Sequence, residues 1–317
     1  MRILFVTSNR VGDAVLSTGL LDHLIRAHPK ARITVACGPY AEGIFARVPN
    51  RERTIILRKR RWNAHWLGLW AWAAGRRWDL VVDVRGSALG WMVRTRRRAA
   101  MRSRTWGEAG TKHKVVQLAS MLGLDPPPAP VAWIAAQDHA RAKALLPADQ
   151  PVIALGPTAN WAPKIWPAER FAALFRTLAG DMLPGAIPAV LGGPGEAERA
   201  MAAPLLALLP EAIDLVGTLS LPEAAACLVR AALFVGNDSG LMHLAAATGA
   251  PTIGLFGPTP AAEYAPIGRC AASVVAADGR MAGITVSQVL TEVAALVAHP
   301  PPKPLPKPPP ARGGGLP

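Results

Sequence analysis

Leu233-Phe-Val-Gly-Asn-Asp-Ser-Gly-Leu-Met-His-Leu-Ala-Ala-Ala247 is the stretch whose reading decides the fold. A short apolar strand ends near Val235, small polar residues turn the chain, and an Ala-rich helix leaves from about Ser239. A strand, a tight turn and a helix N-terminus make an anion site, because free N–H groups and the helix dipole converge there. Asp238 is placed to face a ligand hydroxyl or to cap the helix, and Gly240 allows a ligand to approach the backbone. His243 follows Ser239 by four positions and so lies one turn in, beside the helix mouth. Taken alone, the stretch reads first as a well-capped structural helix with a core-facing histidine. Its surroundings decide between the two.

The same alternation of strand and helix runs through the second half of the chain. Strands are expected at Val152–Gly156, Ile187–Leu191, Ile213–Val216, Leu233–Gly236, Thr252–Phe256 and Ala272–Val275. Helices are expected over 167–180, 194–209, 221–230, 239–248 and 285–298. The first half repeats the pattern. Arg2–Thr7 is a buried strand, and Asp13–Ala27 is a helix with Leu16, Leu20, Leu21, Leu24 and Ile25 on one face, closed by Pro29. Ile33–Cys37, Thr54–Leu57 and Leu80–Val84 continue the strands. Two parallel, doubly wound sheets follow. The first turn, Thr7-Ser-Asn-Arg-Val-Gly-Asp13, has no GxGxxG, and no P-loop occurs. Asp125-Pro-Pro-Pro-Ala-Pro130 is a stiff loop, and Pro147–Pro151 ends the connection between the halves. The expected division is therefore 1–146, 147–299 and a Pro-rich, disordered tail at 300–317.

Charge is divided unevenly between these halves. Residues 1–150 hold 25 Lys+Arg against 10 Asp+Glu, whereas residues 151–317 hold 10 against 11. A field so one-sided steers an anionic partner to the first domain. Arg58-Lys59-Arg60-Arg61 runs into Trp62, Trp66 and Trp70, spaced by four; Trp66 and Trp70 are expected in the core, because a helix here must cover the sheet. Arg94, Arg96, Arg97, Arg98, Arg102 and Arg104 form a second cluster around Met101, a solvated face suited to phosphate or carboxylate. Cys37, Cys227 and Cys270 form no CxxC pair, so neither a disulfide framework nor a zinc site is expected. The apolar run Ile3–Val6 is too short for a secretory signal, and no stretch reads as a membrane span. A cytoplasmic protein is expected.

Met1-Arg-Ile-Leu-Phe-Val6, Val11-Gly-Asp-Ala-Val-Leu-Ser-Thr-Gly-Leu-Leu21, Trp78-Asp-Leu-Val-Val-Asp-Val-Arg-Gly86, Lys164-Ile-Trp-Pro167, Leu191-Gly-Gly-Pro-Gly-Glu-Ala-Glu198, Gly236–Ala246 and Leu255-Phe-Gly-Pro-Thr259 stand in a fixed order over about 1–270. The set resembles the ADP-heptose:lipopolysaccharide heptosyltransferases, glycosyltransferase family nine. The resemblance implies GT-B architecture, with two Rossmann-like doubly wound parallel-sheet domains facing a cleft. It also implies an inverting, metal-independent transfer from a nucleotide sugar, ADP-heptose, to an anionic lipopolysaccharide or other glycolipid acceptor.

Under the resemblance the catalytic base is Asp13, a carboxylate able to take a proton from an acceptor hydroxyl; the alternative is an N-cap of the first helix. Lys164 corresponds to the phosphate-binding lysine that stabilises the departing diphosphate. Thr158 shares its loop. Glu196 matches the ribose-holding position, Leu219 the apolar residue against the base, and Asp238 the sugar-hydroxyl acceptor, with Ser239, Gly240 and His243 on the diphosphate. No two aspartates are separated by one residue, so a DxD metal clamp is missing and no metal or other cofactor is expected. Asn9-Arg10, Ile165 and Leu241 depart from the commoner family residues, and the sugar stays open. The basic clusters Arg58, Lys59, Arg60 and Arg61 and Arg94, Arg96, Arg97 and Arg98 are read as the acceptor side, in peripheral contact with the inner face of the inner membrane. Two readings compete: another nucleotide sugar and surface glycan on the same scaffold, or a non-enzymatic arginine-rich grip on nucleic acid. The second leaves Asp13, Lys164, Glu196 and Asp238 idle and has no recognised motif, so no nucleic-acid partner is expected.

Overall fold

The computed structural model describes residues 1–59, 61–101 and 112–298. Arg60, Arg102, Arg104 and the tail at 300–317 lie outside the described residues. Two compact units divide between Trp133 and Ile134.

The first unit holds β1 (Arg2–Val6), α1 (Val11–Ala27), β2 (Arg32–Cys37), β3 (Arg51–Ile56), α2 (His65–Ala74), β4 (Arg77–Asp83), α3 (Leu89–Met92), β5 (Arg94–Ala100) and α4 (Lys114–Ser120). All strand pairs are parallel, in the order β3-β2-β1-β4-β5. β1 is the centre, apolar and fully buried from Ile3 to Val6, as a strand covered on both faces must be. On α1, Leu16, Leu20, Leu21, Leu24 and Ile25 are buried as their spacing requires. Leu69 and Ala73 of α2 pack with Leu89 and Val93 over Leu4, Val6 and Val81.

Three sequence expectations need correction in this unit. The arginine run is exposed, and it also forms a strand that was not expected there, β5, which among the described residues pairs with β4 alone. Edge pairing uses main-chain groups alone, so exposed arginines are tolerated and block further strand addition. The three tryptophans do not share one helix, since α2 begins at His65 and Trp62 precedes it at φ 55°, and Trp70, expected in the core, is exposed. Trp66 is half-buried against the core, as expected. Asp13 does not cap α1; Arg10 occupies that place, and Asp13 sits in the first turn.

The second unit holds α5 (Ala136–Leu145), β6 (Val152–Gly156), α6 (Ala168–Thr177), β7 (Ile187–Val190), α7 (Glu196–Leu208), β8 (Ile213–Asp214), α8 (Leu221–Arg230), β9 (Leu233–Asn237), α9 (Gly240–Thr248), β10 (Thr252–Phe256), α10 (Ala261–Tyr264), β11 (Ala271–Val275) and α11 (Val286–Ala298). Its parallel sheet has the order β11-β10-β9-β6-β7-β8. Ile153, Leu155, Val235, Ile253 and Leu255 meet Phe171, Leu174 and Leu205 in its core. The unit starts before the 146/147 boundary expected, because α5 packs on α8 and Arg230 of α8 donates to the Pro147 carbonyl at 3.2 Å. The Pro-rich loop stays with the first unit, where Val131 N–H donates to Thr18 Oγ1 at 2.8 Å.

Candidate functional site

In a parallel sheet, a ligand site forms beyond the strand C-termini where the strand order reverses. In the second unit this switch falls between β6 and β9, since β7 lies on one side of β6 and β9 on the other. Lys164 follows β6 and Asp238 follows β9. Their side chains meet: Lys164 Nζ donates to Asp238 Oδ2 at 2.6 Å. Asp238 Oδ1 faces His243 Nε2 at 3.9 Å, with His243 buried inside α9. The helix cap is Ser239 rather than Asp238, and it makes no side-chain capping bond. Ser239 Oγ and Thr259 Oγ1, beyond β9 and β10, are buried hydroxyls with no hydrogen-bond partner among the described residues.

Asn237 builds this corner. Its Nδ2 donates to the Pro157 carbonyl at 2.7 Å, and its Oδ1 accepts from Trp166 N–H at 3.0 Å. Both ends of the loop carrying Thr158 and Lys164 are thereby tied to β9. Trp166 is itself fully buried and donates through Nε1 to the Ile284 carbonyl at 3.0 Å. Asn237 has no role in the sequence reading; its signal was a lone amide ending an otherwise apolar strand.

The strand order sets the remaining residues in a row. β10, β9, β6, β7 and β8 bring Thr259, Asp238 with Ser239, Thr158 with Lys164, Gly193 to Glu196, and Gly217 to Leu219 to successive positions, about 4.8 Å apart. Thr158 is buried beside Gly192. Glu196 is the exposed first residue of α7 and borders a cavity of about 300 Å³ with Gly193, Gly195, Arg199, Val216 and Gly217. Gly195 and Gly217 have φ of 107° and 72°, values that suit glycine and leave bare backbone lining the cavity. Glu198 accepts from Gly193 N–H at 2.9 Å, which shapes that turn, and Arg199 is held by Asp214 and the Val216 carbonyl. Leu219 is half-buried, two residues beyond Gly217, and Gly240 opens α9.

The first unit has its own switch point, between β1 and β4. The turn after β1 carries Asp13, whose Oδ2 accepts from Ser8 Oγ at 3.3 Å; Ser8 Oγ in turn accepts from Arg10 N–H at 3.2 Å. The turn after β4 carries Asp83, fully buried, which accepts from Ser87 Oγ at 2.6 Å and Arg85 N–H at 3.0 Å. Burial pushes the Asp83 carboxyl above its ordinary range, against the pull of those bonds. Arg85 crosses from one turn to the other, donating to Asn9 Oδ1 at 3.2 Å with its guanidinium 5.0 Å from the Trp66 ring centroid. Arg58, Lys59, Arg61, Arg94, Arg96, Arg97 and Arg98 are all exposed. A cavity of about 500 Å³ between Lys30 and Glu52 opens at the N-terminal ends of β2 and β3, the end away from both turns. No group of three or more His, Cys, Asp or Glu suited to a metal ion occurs among the described residues.

The family model for glycosyltransferase family 9 (heptosyltransferase) matches residues 87–291. The chain belongs to glycosyltransferase family 9. It is 26% identical over 307 residues to lipopolysaccharide heptosyltransferase 2 of Salmonella typhimurium, covering 82% of this chain and 83% of that enzyme. Over 124 residues it is 33% identical to lipooligosaccharide heptosyltransferase 2 of Haemophilus influenzae, covering 37% of this chain and 34% of that enzyme, so that match spans about a third of the relative. The structure of an E. coli heptosyltransferase with ADP shares the fold at a TM-score of 0.73 and 20% identity, covering 93% of this chain and 100% of that one. The family-9 chain is thus a glycosyltransferase with two parallel-sheet α/β units of the GT-B class.

Proposed function

We propose that the chain transfers a heptose from ADP-heptose to a hydroxyl of an anionic lipopolysaccharide core acceptor, with inversion and without a metal ion. The observation that carries the reading is the Lys164–Asp238 pair at the switch point, set at the mouth of α9 beside two unpartnered hydroxyls. A diphosphate at that mouth would meet free N–H groups of α9, Ser239 Oγ, Thr259 Oγ1 and the Lys164 ammonium. His243 flanks it. Two strands along, the cavity beside Glu196 offers a carboxylate to the ribose hydroxyls and bare backbone to the base, with Leu219 as an apolar wall. Thr158 adds a hydroxyl between them.

As the diphosphate engages Lys164, Asp238 is released to accept from sugar hydroxyls. In the transfer, Asp13 takes the proton of the acceptor hydroxyl, whose oxygen forms a bond to the anomeric carbon from the face opposite the diphosphate. The bond from that carbon to the diphosphate oxygen breaks, and ADP leaves with the electron pair. Direct displacement inverts the centre. Lys164 and the α9 dipole stabilise the charge developing on the leaving group, the task a metal cation would otherwise perform. The basic residues Arg58, Lys59, Arg60 and Arg61 and Arg94, Arg96, Arg97 and Arg98 belong to the acceptor side, meeting phosphates and acidic sugars at the cytoplasmic face of the inner membrane.

The test is a transfer assay in EDTA with a heptose-deficient lipopolysaccharide acceptor and a panel of nucleotide sugars, following product and donor consumption. ADP-heptose is expected to be turned over and to raise the melting temperature most. Turnover of a different nucleotide sugar, or a strict need for a divalent ion, would overturn the donor or the metal-free route respectively.

A further inference from the structure

The first unit carries an exposed apolar face that the proposed transfer does not use. On α2, Leu67 is 63% exposed and Trp70 37%; on α3, Trp91 is 71% and Met92 50% exposed. These are one surface. Trp70 Nε1 donates to the Met92 carbonyl at 3.1 Å, which fastens α2 to α3, and Leu69 and Ala73 hold α2 down from beneath. Isolated exposed apolar residues need no explanation, but a joined set of this size on a folded domain marks a contact surface.

Arginines frame it. Val81 pairs in register with Arg98, and Val81 faces the core under α2 and α3, so the alternation of β5 puts Arg94, Arg96 and Arg98 on that same face. The Arg98 guanidinium lies 4.5 Å from the Trp91 ring centroid. Ahead of α2, Arg61 lies 5.5 Å from the ring of Trp62, itself 85% exposed. Indole rings beside arginines, with an exposed aliphatic and an exposed thioether side chain on the same two helices, match the boundary between lipid headgroups and acyl chains. The rings and aliphatic groups enter and the guanidinium groups stay with the phosphates. No helix among the described residues is long and apolar enough to cross a membrane.

We propose that α2, α3 and β5 form a docking face for an anionic lipid bilayer, in which Leu67, Trp91 and Met92 enter the headgroup boundary and Arg94, Arg96 and Arg98 hold lipid phosphates. The proposal rests on the reading above in expecting an acceptor that resides in a membrane and in setting Arg94, Arg96 and Arg98 on that side; the apolar face of α2 and α3 and its insertion are what it adds. A second copy of the chain is a poorer occupant, because a two-fold contact would bring the two sets of arginines together. Nucleic acid is poorer too, since Leu67 and Met92 have no ring on which a base could stack.

The test uses the full chain with vesicles of phosphatidylglycerol and phosphatidylethanolamine, and with phosphatidylcholine vesicles as the uncharged control. The wild type should sediment with the anionic vesicles, less as salt rises, and its tryptophan fluorescence should be quenched by brominated lipids in them. Leu67→Ser combined with Trp91→Ser should lower vesicle affinity by roughly tenfold or more and diminish the quenching. Both side chains are exposed, so the variant should keep its melting temperature; Met92→Glu serves as an independent second variant. Neither variant should lose transfer to a lipid-free acceptor sugar, so a failure of the transfer reading would leave the vesicle result standing. Equal vesicle binding by wild type and both variants would overturn the proposal. So would a wild type that binds neither kind of vesicle, or a dimer that these substitutions dissociate.

Discussion

Lys164 Nζ lies 2.6 Å from Asp238 Oδ2 across a sequence separation of 74 residues, with the lysine side chain 18% and the aspartate 7% exposed. Two strands end side by side, and their loops bring opposite charges together at a helix mouth. Removing the cation alone leaves a buried carboxylate whose charge only the α9 N-terminus offsets. Lys164→Met should therefore destabilise the unliganded protein by about 3 kcal/mol, and Lys164→Met with Asp238→Asn should recover part of that loss. Donor affinity should fall roughly tenfold and the rate at saturation roughly a hundredfold, because the charge matters more as the diphosphate departs. Thermal melts, calorimetric donor titrations and single-turnover rates separate these effects.

Asn237→Ala removes two hydrogen bonds and strands the Pro157 carbonyl and the Trp166 N–H in the interior. The expected cost is roughly 2–3 kcal/mol. Because those bonds hold both ends of the Lys164 loop, the donor KM should rise more than kcat falls, to be read from steady-state kinetics at several donor concentrations. A variant that lost stability with an unchanged donor KM would leave Asn237 a purely structural residue.

Asp13→Asn should reduce transfer by roughly a hundredfold or more while donor binding stays near wild type, since a missing general base affects the proton and not the nucleotide. Ser8→Ala should cost only a few-fold, because Ser8 orients the carboxylate at 3.3 Å without replacing it. Donor titration alongside the rate assay separates these outcomes.

Most of the second sheet was legible because β6, β9 and β10 are buried on both faces, and continuous apolar runs reveal such strands directly. β5 was not, because its sequence, Arg-Thr-Arg-Arg-Arg-Ala-Ala, records exposure while its strand character lies in main-chain pairing with β4. α5 fell on the wrong side of the expected boundary because its partner, α8, lies some eighty residues downstream, and no local signal announces that packing. At the site, the strand-turn-helix stretch exposed Asp238, Ser239 and His243 through its spacing. The Asn237 clamp and the contact between Lys164 and Asp238 needed the strand order, which sets β6 beside β9.

Asp83 gives the fold a pH dependence of known sign. The carboxyl is fully buried at the end of β4, and burial raises it above its ordinary value of 3.8, more than the bonds from Ser87 and Arg85 pull it down. Between that ordinary value and the raised one, the native state binds more proton than the unfolded chain. Stability from this group is therefore present at low pH and is lost as pH rises through the native value. Above it, the charged form is buried at full cost. Asp83→Asn keeps the shape and one acceptor oxygen but does not titrate. The difference in melting temperature, variant minus wild type, should thus be more positive at pH 8 than at pH 4, close to the ordinary carboxyl value, by roughly 2–4 °C for each kcal/mol of burial cost relieved. Melting curves of both proteins across that range decide it, and a difference that stays flat or reverses would mean Asp83 is already charged and fully compensated in the fold.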